Sequence, residues 1–255
     1  MTAFKHIAIM GLGLMGGSLA KAIKAYAPTS ISAITRNKTA AKQALADHSI
    51  DAHTTLENLD PSVDLVFICT PMSTLIQTIH KTCAHCSSNT LITDIGSVKG
   101  YLAAKNFPPN VVLGHPIAGS EKQGYAHAQA NLFQNKRYVL IPPTTPHPHY
   151  DTLKQLITDI GSTLIECDAD THDKQLALSS HFPYFAAKAA FTLSQKAGLD
   201  PRFIGPGFQS FTRIAHSDED WARDIATYNK TEVLKTLKDY QSTLSSLFTD
   251  IEKTP

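Results

Sequence analysis

The sequence has no excess of charge of either sign, since 23 Lys and Arg residues face 22 Asp and Glu residues. Proteins that bind nucleic acid usually carry a basic stripe, and no such run occurs here, so we expect no nucleic-acid partner. No apolar run approaches the roughly 18 residues of a membrane span. The start of the chain does not resemble a signal peptide, because glycines follow almost at once. We therefore expect no membrane segment and a cytoplasmic location.

Cysteine is also scarce, with four residues in the chain. Cys83 and Cys86 form a CxxC near His80 and His85. A second CxxC, which many zinc sites require, is missing. A metal or redox site is therefore disfavoured, and we expect no metal.

What the first part of the sequence does contain is an alternation of strand-like and helix-like segments. The apolar run 64–69 predicts a strand buried on both faces, and the Ala-rich segment 38–47 predicts a helix. This order predicts an α/β fold of the Rossmann type, a doubly wound parallel sheet with helices on both faces. The predicted strands are 6–10, 31–35, 64–69, 90–94, 111–113 and 163–167, and the predicted helices are 14–26, 38–47, 73–83, 98–105 and 150–160.

From residue 169 onward the sequence predicts helices only. One is expected over 171–197 with a break at Pro183, and another is expected to start after a Ser217 cap. The last helix carries apolar residues spaced by three and four, which form one stripe. The stripe is Val233, Leu237, Tyr240, Leu244, Leu247 and Ile251. It could pack inside its own domain or against a second subunit, and we favour a homodimer.

A GxGxxG motif, GLGLMG at 11–16, follows the first predicted strand and opens the first predicted helix. In that context it predicts a dinucleotide site. Gly11 permits a tight turn, Gly13 lets the backbone approach a pyrophosphate, and Gly16 lets the helix pack closely. N–H groups at the helix start then hold the phosphate. The predicted cofactor contacts here are Gly11, Gly13, Leu14, Met15, Gly16 and Thr70.

An acidic residue is missing where the second predicted strand ends. An Asp or Glu there would bind the ribose 2′-hydroxyl of NAD, but the segment is Thr35-Arg36-Asn37-Lys38. The Arg36 guanidinium suits a 2′-phosphate, and Thr35 adds a hydroxyl. A solvated loop is the alternative. We favour NADP, with NAD as the second choice. The predicted domains are 1–168, which binds the dinucleotide, and 169–255, which is helical and binds substrate and a second subunit.

Five motifs occur in one order along the chain. They are GLGLMGGSLA at 11–20, DIGSVKG at 94–100, GHPIAGSEKQG at 114–124, SSHFPY at 179–184 and GFQSFTRIAHSD at 207–218. Together they resemble the prephenate/arogenate dehydrogenases over nearly the whole chain. The resemblance implies an oxidative decarboxylation in tyrosine biosynthesis. Hydride leaves the hydroxyl-bearing carbon of a cyclohexadiene ring for NAD(P), carbon dioxide leaves the opposite carbon, and the ring becomes aromatic.

The resemblance also assigns roles in the first domain. His115 follows the strand 111–113, near the edge where open parallel sheets bind ligands, and is the expected base for the substrate hydroxyl. Ser97 is expected to contact His115 and the substrate, or to be a plain helix N-cap. Lys99 is expected to face solvent or to neighbour the site without acting in it. Ser120 and Glu121 are expected to line the entrance for substrate.

In the helical domain, Arg213 is the expected clamp for the ring carboxylate, with a surface arginine as the alternative. His181 either lies at the substrate pocket or makes a structural hydrogen bond near it. Trp221 either closes a site from a neighbouring subunit or belongs to the core. Many relatives have a histidine where this chain has Tyr184, and several have an acid where it has Ser210. The missing acid favours prephenate over arogenate, because only arogenate has an ammonium group. Glu121 or Asp218 could substitute for the acid, which leaves arogenate as the alternative.

Two other functions fit parts of the pattern. A β-hydroxyacid dehydrogenase would need a catalytic lysine in the helical half, and the motif around Lys174 and Lys188 is absent. A sensor protein that binds NADP without turnover would need neither His115 nor Arg213. Replacing His115 by Asn separates a sensor from an enzyme.

Overall fold

A computed structural model describes residues 4–26, 28–119 and 122–254. The chain forms two compact units, Met1–Ala169 and Asp170–Pro255. Each unit has its own architecture.

Six parallel strands form the main sheet of the first unit, in the order β3-β2-β1-β4-β5-β6. This is the strand order of the Rossmann fold, and the predicted fold class is confirmed. The order reverses between the neighbours β1 and β4, where such folds bind dinucleotides. The strands are β1 (His6–Met10), β2 (Ser30–Ile34), β3 (Ala52–Thr54), β4 (Leu65–Ile68), β5 (Leu91–Asp94) and β6 (Val111–Val112).

The helices of the first unit cover this sheet. Because they do so, the middle strands are buried on both faces: the successive residues Ile7 and Ala8 in β1 and Val66 and Phe67 in β4 are all at most 1% exposed. This burial explains the continuous apolar runs in the sequence. The helices are α1 (Leu14–Tyr26), α2 (Lys38–Ala46), α3 (Met72–His85), α4 (Gly100–Ala103) and α5 (Tyr150–Asp159).

A second, three-stranded sheet corrects the sequence prediction. It comprises β7 (Gly114–Ile117), β8 (Arg137–Leu140) and β9 (Thr163–Glu166), and its β7–β8 pair is antiparallel. The sequence analysis placed β9 in the parallel sheet and missed β7 and β8. Gly114 and Pro116 disfavour strand structure, but Pro116 is tolerated because β7 is an edge strand of this sheet.

The described part of the second unit is helical, as predicted. The first predicted helix is broken by a π-helical turn, Ala177–His181, which ends two residues before Pro183. Proline has no N–H for the usual helical hydrogen bond, so the backbone changes its bonding pattern there. The helices are α6 (Ala169–Leu176), α7 (Phe182–Lys196), α8 (Pro206–Thr212), α9 (Glu219–Tyr228) and α10 (Lys230–Glu252).

The predicted Ser217 cap is wrong by one residue. Asp218 caps α9, and its carboxylate accepts a hydrogen bond from the Trp221 N–H at 2.9 Å. Both residues favour an N-cap position, so the choice depends on where the preceding turn ends.

Helix α10 carries the predicted apolar stripe. Val233 at its start is 3% exposed, whereas Leu247 and Ile251 near its end are 51% and 68% exposed. The stripe therefore packs inside its own unit at one end and stays uncovered at the other. Of the helices in the described ranges, none combines the length and apolar composition needed to cross a membrane.

Candidate active site

The glycine motif forms a tight turn between β1 and α1. Gly11 has φ +99°, and its N–H donates to the Ile34 carbonyl at 2.9 Å. A Cβ at Gly11 would lie 2.6 Å from the Cys69 carbonyl oxygen, and one at Gly16 would lie 2.0 Å from the Gly11 carbonyl oxygen. A Cβ at Gly13 would meet nothing within 4 Å. Gly11 and Gly16 are therefore required by the turn itself, while Gly13 leaves open space.

This turn fits a dinucleotide. The Gly17 N–H donates to the Gly13 carbonyl at 2.9 Å as the first bond of the helix, so the Leu14 and Met15 N–H groups precede the helical ladder and can meet an anion. Across from the turn, Thr70 follows β4. Its Oγ1 is buried and has no hydrogen-bond partner among the described residues. A buried hydroxyl without a partner is costly, which fits a polar ligand atom at this position.

The end of β2 lacks any carboxylate, as expected. Arg36 is exposed and forms no ion pair with the described residues. Asn37 caps α2 by accepting from the Ala40 N–H at 3.0 Å, and its own N–H donates to the Thr35 hydroxyl oxygen at 3.2 Å. The His53 ring Nε2 lies 3.0 Å from the Thr35 carbonyl oxygen. His53 escaped the sequence analysis because β3 is too short and polar to be recognised.

His115 lies in β7 rather than in a loop. Its backbone is paired with Val139 of β8, and the residue is 8% exposed. The chain reaches β7 directly from β6 through Leu113, whose carbonyl accepts the Ile141 N–H at 2.9 Å. A strand holds an imidazole more firmly than a surface loop does.

The structure contradicts one of the two alternatives predicted for Lys99. Its side chain is fully buried and its Nζ lies 2.5 Å from Asp94 Oδ2. The expectation of a solvent-facing lysine is wrong, because lysine can be buried when it is paired. The Asp94 carboxylate also accepts the Gly96 N–H at 2.7 Å and the Gly114 N–H at 3.1 Å. The only sequence signal for this cluster was an acid and a lysine on either side of a glycine-containing loop.

Ser97 lies in this loop and is half-buried. It does not cap the following helix, because α4 begins at Gly100 with Lys99 in the N-cap position and without a side-chain cap bond. The N-cap interpretation is therefore wrong, and the hydroxyl is left for another role. Ser120 and Glu121 lie outside the described residues.

Arg213 lies in the second unit, where α8 passes into a short 3-10 helix, Arg213–His216. The side chain is exposed, and in the described ranges it forms no ion pair. An arginine without a carboxylate partner fits either an anion clamp or a plain surface position, the two alternatives of the sequence analysis.

His181 is 1% exposed and lies at the end of the π-helical turn. Its Nδ1 is 3.2 Å from Asn229 Nδ2, which also donates to the Asp173 carbonyl at 2.9 Å. Because the amide donates, Nδ1 accepts and the ring proton lies on Nε2. Burial lowers the pKa of His181 to about 4, although Asp173 opposes the shift. His181 is thus a neutral imidazole that presents an N–H at Nε2.

Trp221 packs against aromatic rings of its own unit. Its ring centroid is 6.1 Å from that of His181 and 5.6 Å from that of Tyr184, both in edge-on geometry. Tyr184, where relatives often have histidine, is 5% exposed. The contacts match the core alternative for Trp221, and a role across a dimer stays a prediction.

Comparison with known proteins identifies the family. The model for the prephenate dehydrogenase nucleotide-binding domain matches residues 19–166, and the model for the prephenate dehydrogenase dimerization domain matches residues 168–254. Cyclohexadienyl dehydrogenase of Zymomonas mobilis is 31% identical over 98% of this chain and 90% of its own length.

Two solved structures are similar over nearly the whole chain. Prephenate dehydrogenase from A. aeolicus, in complex with hydroxyphenyl propionate and NAD⁺, has a TM-score of 0.87 at 29% identity and covers 99% of this chain and 93% of its own. Synechocystis arogenate dehydrogenase has a TM-score of 0.83 at 28% identity and covers 97% and 92%. With both family models matched in order along the chain, this protein belongs to the prephenate dehydrogenase family.

Proposed function

We propose that this NAD(P)-dependent dehydrogenase converts prephenate to 4-hydroxyphenylpyruvate and carbon dioxide, with His115 as the catalytic base. The observation that carries the proposal is the placement of His115. It is held in β7, directly after the strand β6 of a dinucleotide-binding sheet. Ligands of open α/β sheets bind beyond the carboxyl ends of such strands.

The glycine turn and Thr70 would hold NAD(P), which when bound would supply the acceptor for the hydride of the hydroxyl-bearing ring carbon. The protein must remove the hydroxyl proton as this hydride leaves, and neutral imidazole of His115 is suited to accept it. The Ser97 hydroxyl, which caps no helix, is proposed to hydrogen-bond the imidazole or the substrate hydroxyl. Loss of carbon dioxide leaves an aromatic ring, which makes the overall step effectively irreversible.

Arg213 is proposed to bind the ring carboxylate. Its exposed guanidinium offers two parallel N–H groups to a carboxylate. His181 is proposed to donate its Nε2–H to the substrate, because its Nδ1 is engaged by Asn229. Since burial keeps the ring neutral, this contact is a hydrogen bond and not an ion pair.

NADP is proposed as the preferred cofactor. The end of β2 carries Arg36 and Thr35 and no acid, so a 2′-phosphate meets donors and no repelling carboxylate. His53 lies beside the same loop and adds a second group that can carry positive charge. NAD⁺ is the ligand of the A. aeolicus enzyme, and use of NAD by this chain is the alternative.

Prephenate is proposed over arogenate. Ser210, where several relatives carry an acid, is exposed on α8 and has no charge with which to hold a substrate ammonium. Arogenate, named as substrate of the Synechocystis relative, is the alternative and would yield tyrosine directly.

The second unit is proposed to form a homodimer. Its family model is named for dimerization, and Leu247, Phe248 and Ile251 near the end of α10 are between 51% and 68% exposed. Uncovered apolar side chains of this size favour burial against a second copy. A cytoplasmic location remains a prediction of the sequence.

One steady-state comparison tests these proposals together. Purified protein is assayed with prephenate and with arogenate, each with NADP⁺ and with NAD⁺, and both reduced cofactor and aromatic product are quantified. We expect the highest kcat/KM with prephenate and NADP⁺. Turnover of neither cyclohexadiene would refute the function, and a preference for arogenate or for NAD⁺ would refute that part alone.

A further inference from the structure

The buried pair of Asp94 and Lys99 has no part in the function proposed so far. Both side chains have 0% exposed area, and the two charges are 2.5 Å apart. Burying two charges is costly, and replacement by apolar residues is often neutral or stabilising. A purpose other than stability is therefore worth seeking.

The Asp94 carboxylate joins three separate pieces of backbone. It belongs to the last residue of β5, it accepts the Gly96 N–H at 2.7 Å through Oδ2, and it accepts the Gly114 N–H at 3.1 Å through Oδ1. Gly114 directly precedes His115. The carboxylate therefore fixes the Leu113–Gly114 peptide, which lies one residue before the proposed base.

Both amide donors to this carboxylate are glycines, and both are in tight places. A Cβ at Gly96 would lie 2.9 Å from Asp94 Oδ2, and a Cβ at Gly114 would lie 2.9 Å from the Asp94 carbonyl oxygen. Any other residue would push the donor away from its acceptor. The close approach of β7 to the end of β5 thus depends on the carboxylate and on the missing side chains together.

Lys99 keeps the Asp94 carboxylate able to accept both glycine hydrogen bonds. An ionised carboxylate accepts with both oxygens, whereas a protonated one has a donor on one of them. Without a neighbouring cation, a fully buried carboxyl would tend to take up a proton or change its surroundings. Either response weakens at least one of the two glycine bonds.

We propose that Lys99 is a positioning residue for His115, acting through Asp94 and the Gly114 amide. Its effect on turnover rests on the proposed function, but its effect on the orientation of His115 does not. Misplacement of a reacting group by 1 Å can cost about 100-fold in rate. We expect Lys99→Met to lower kcat by about 10- to 100-fold and to leave the cofactor Kd within about twofold, because the glycine turn is untouched.

The chain offers a matched control in Lys24→Met. Lys24 lies 2.6 Å from Asp51, whose carboxylate accepts the Ile31 N–H at 2.6 Å. This site also combines a lysine, an aspartate and a strand amide, but the pair is partly exposed and lies at the amino end of β2, away from the carboxyl edge of the sheet. This variant should keep kcat near the wild-type value.

A second readout needs no activity. Protein labelled with ¹³C at histidine Cε1 is examined by NMR in the wild type, Lys24→Met and Lys99→Met, with the His115 signal assigned from His115→Asn. The proposal predicts that the His115 signal moves or broadens in Lys99→Met only. If the wild type turns over neither substrate, the proposed function fails, and this comparison still decides the positioning role.

A folded Lys99→Met protein with wild-type kcat and an unmoved His115 signal overturns the proposal. If Lys99→Met does not fold, Gly114→Ala takes its place, because its methyl separates β7 from Asp94 while every charge remains. We expect Gly114→Ala to lower kcat and to move the His115 signal. Wild-type kcat together with an unmoved His115 signal would overturn the proposal.

Discussion

Gly13→Ala should separate cofactor binding from folding. A methyl at this position meets no protein atom within 4 Å, and Gly13 is not among the glycines with positive φ. Folding therefore has no steric reason to suffer. The same methyl occupies the open space in front of the first turn of α1, where the proposed pyrophosphate lies.

The expected magnitudes follow from this geometry. Replacing glycine by alanine at a compatible position stabilises a protein by about 0.4–1 kcal/mol, because the unfolded chain loses entropy. Loss of one hydrogen bond to a charged phosphate costs about 1.5–3 kcal/mol, which is about 10- to 150-fold in Kd. Gly16→Ala, by contrast, should destabilise the fold. Its methyl would lie 2.0 Å from the Gly11 carbonyl oxygen, so we expect a stability loss of about 1–3 kcal/mol.

Two measurements are needed for each variant: the cofactor Kd by calorimetric titration and the free energy of unfolding in urea. Gly207→Ala is the matched control, since its Cβ also meets nothing within 4 Å and it lies in α8 of the other unit. It should change neither the cofactor Kd nor stability by a large amount. A Gly13→Ala protein that binds NADP⁺ and NAD⁺ as tightly as the wild type would refute the reasoning.

Three further predictions concern single side chains. Arg36→Ala should raise the Kd of NADP⁺ at least about tenfold and that of NAD⁺ little; titration with both cofactors checks this, and equal losses would contradict it. Arg213→Lys should raise KM for prephenate about tenfold or more at unchanged cofactor Kd, because the bidentate geometry is lost; an unaltered KM speaks against the clamp. Burial lowers the pKa of His181 from 6.5 to about 4, because the folded protein disfavours the charged ring. The neutral ring therefore contributes its full stabilisation above pH 6.5, and the free energy of unfolding should fall by about 3 kcal/mol as the pH drops toward 4. Urea denaturation across this range should show a shallower pH slope for His181→Gln, and identical slopes would contradict the assignment.

Local patterns in the sequence predicted much of the first unit. The apolar run before the glycine motif gave both bounds of β1, and the small residues after it gave both bounds of α1. Burial on both faces leaves an unmistakable run of apolar residues in β4. Pro183 similarly marked the break in the helical unit, because its missing N–H acts locally.

The remainder depends on partners that are distant in sequence. Strand β7 contains Gly114 and Pro116 and exists because β8 pairs with it from at least twenty positions away. Lys99 is only five positions from Asp94, but lysine is usually exposed, and the complete burial of this pair becomes apparent only in the folded structure. Propensity describes one residue at a time, so it could predict neither the second sheet nor the buried ion pair.

The role of His115 is tested most directly by a comparison of turnover and cofactor binding in His115→Asn. Asparagine keeps the strand and a hydrogen-bonding group but cannot accept the hydroxyl proton. We expect kcat for formation of reduced cofactor and 4-hydroxyphenylpyruvate to fall by about 10²- to 10⁴-fold, while the Kd of NADP⁺ stays within about twofold of the wild type. Turnover at the wild-type rate by a folded His115→Asn protein would contradict the account.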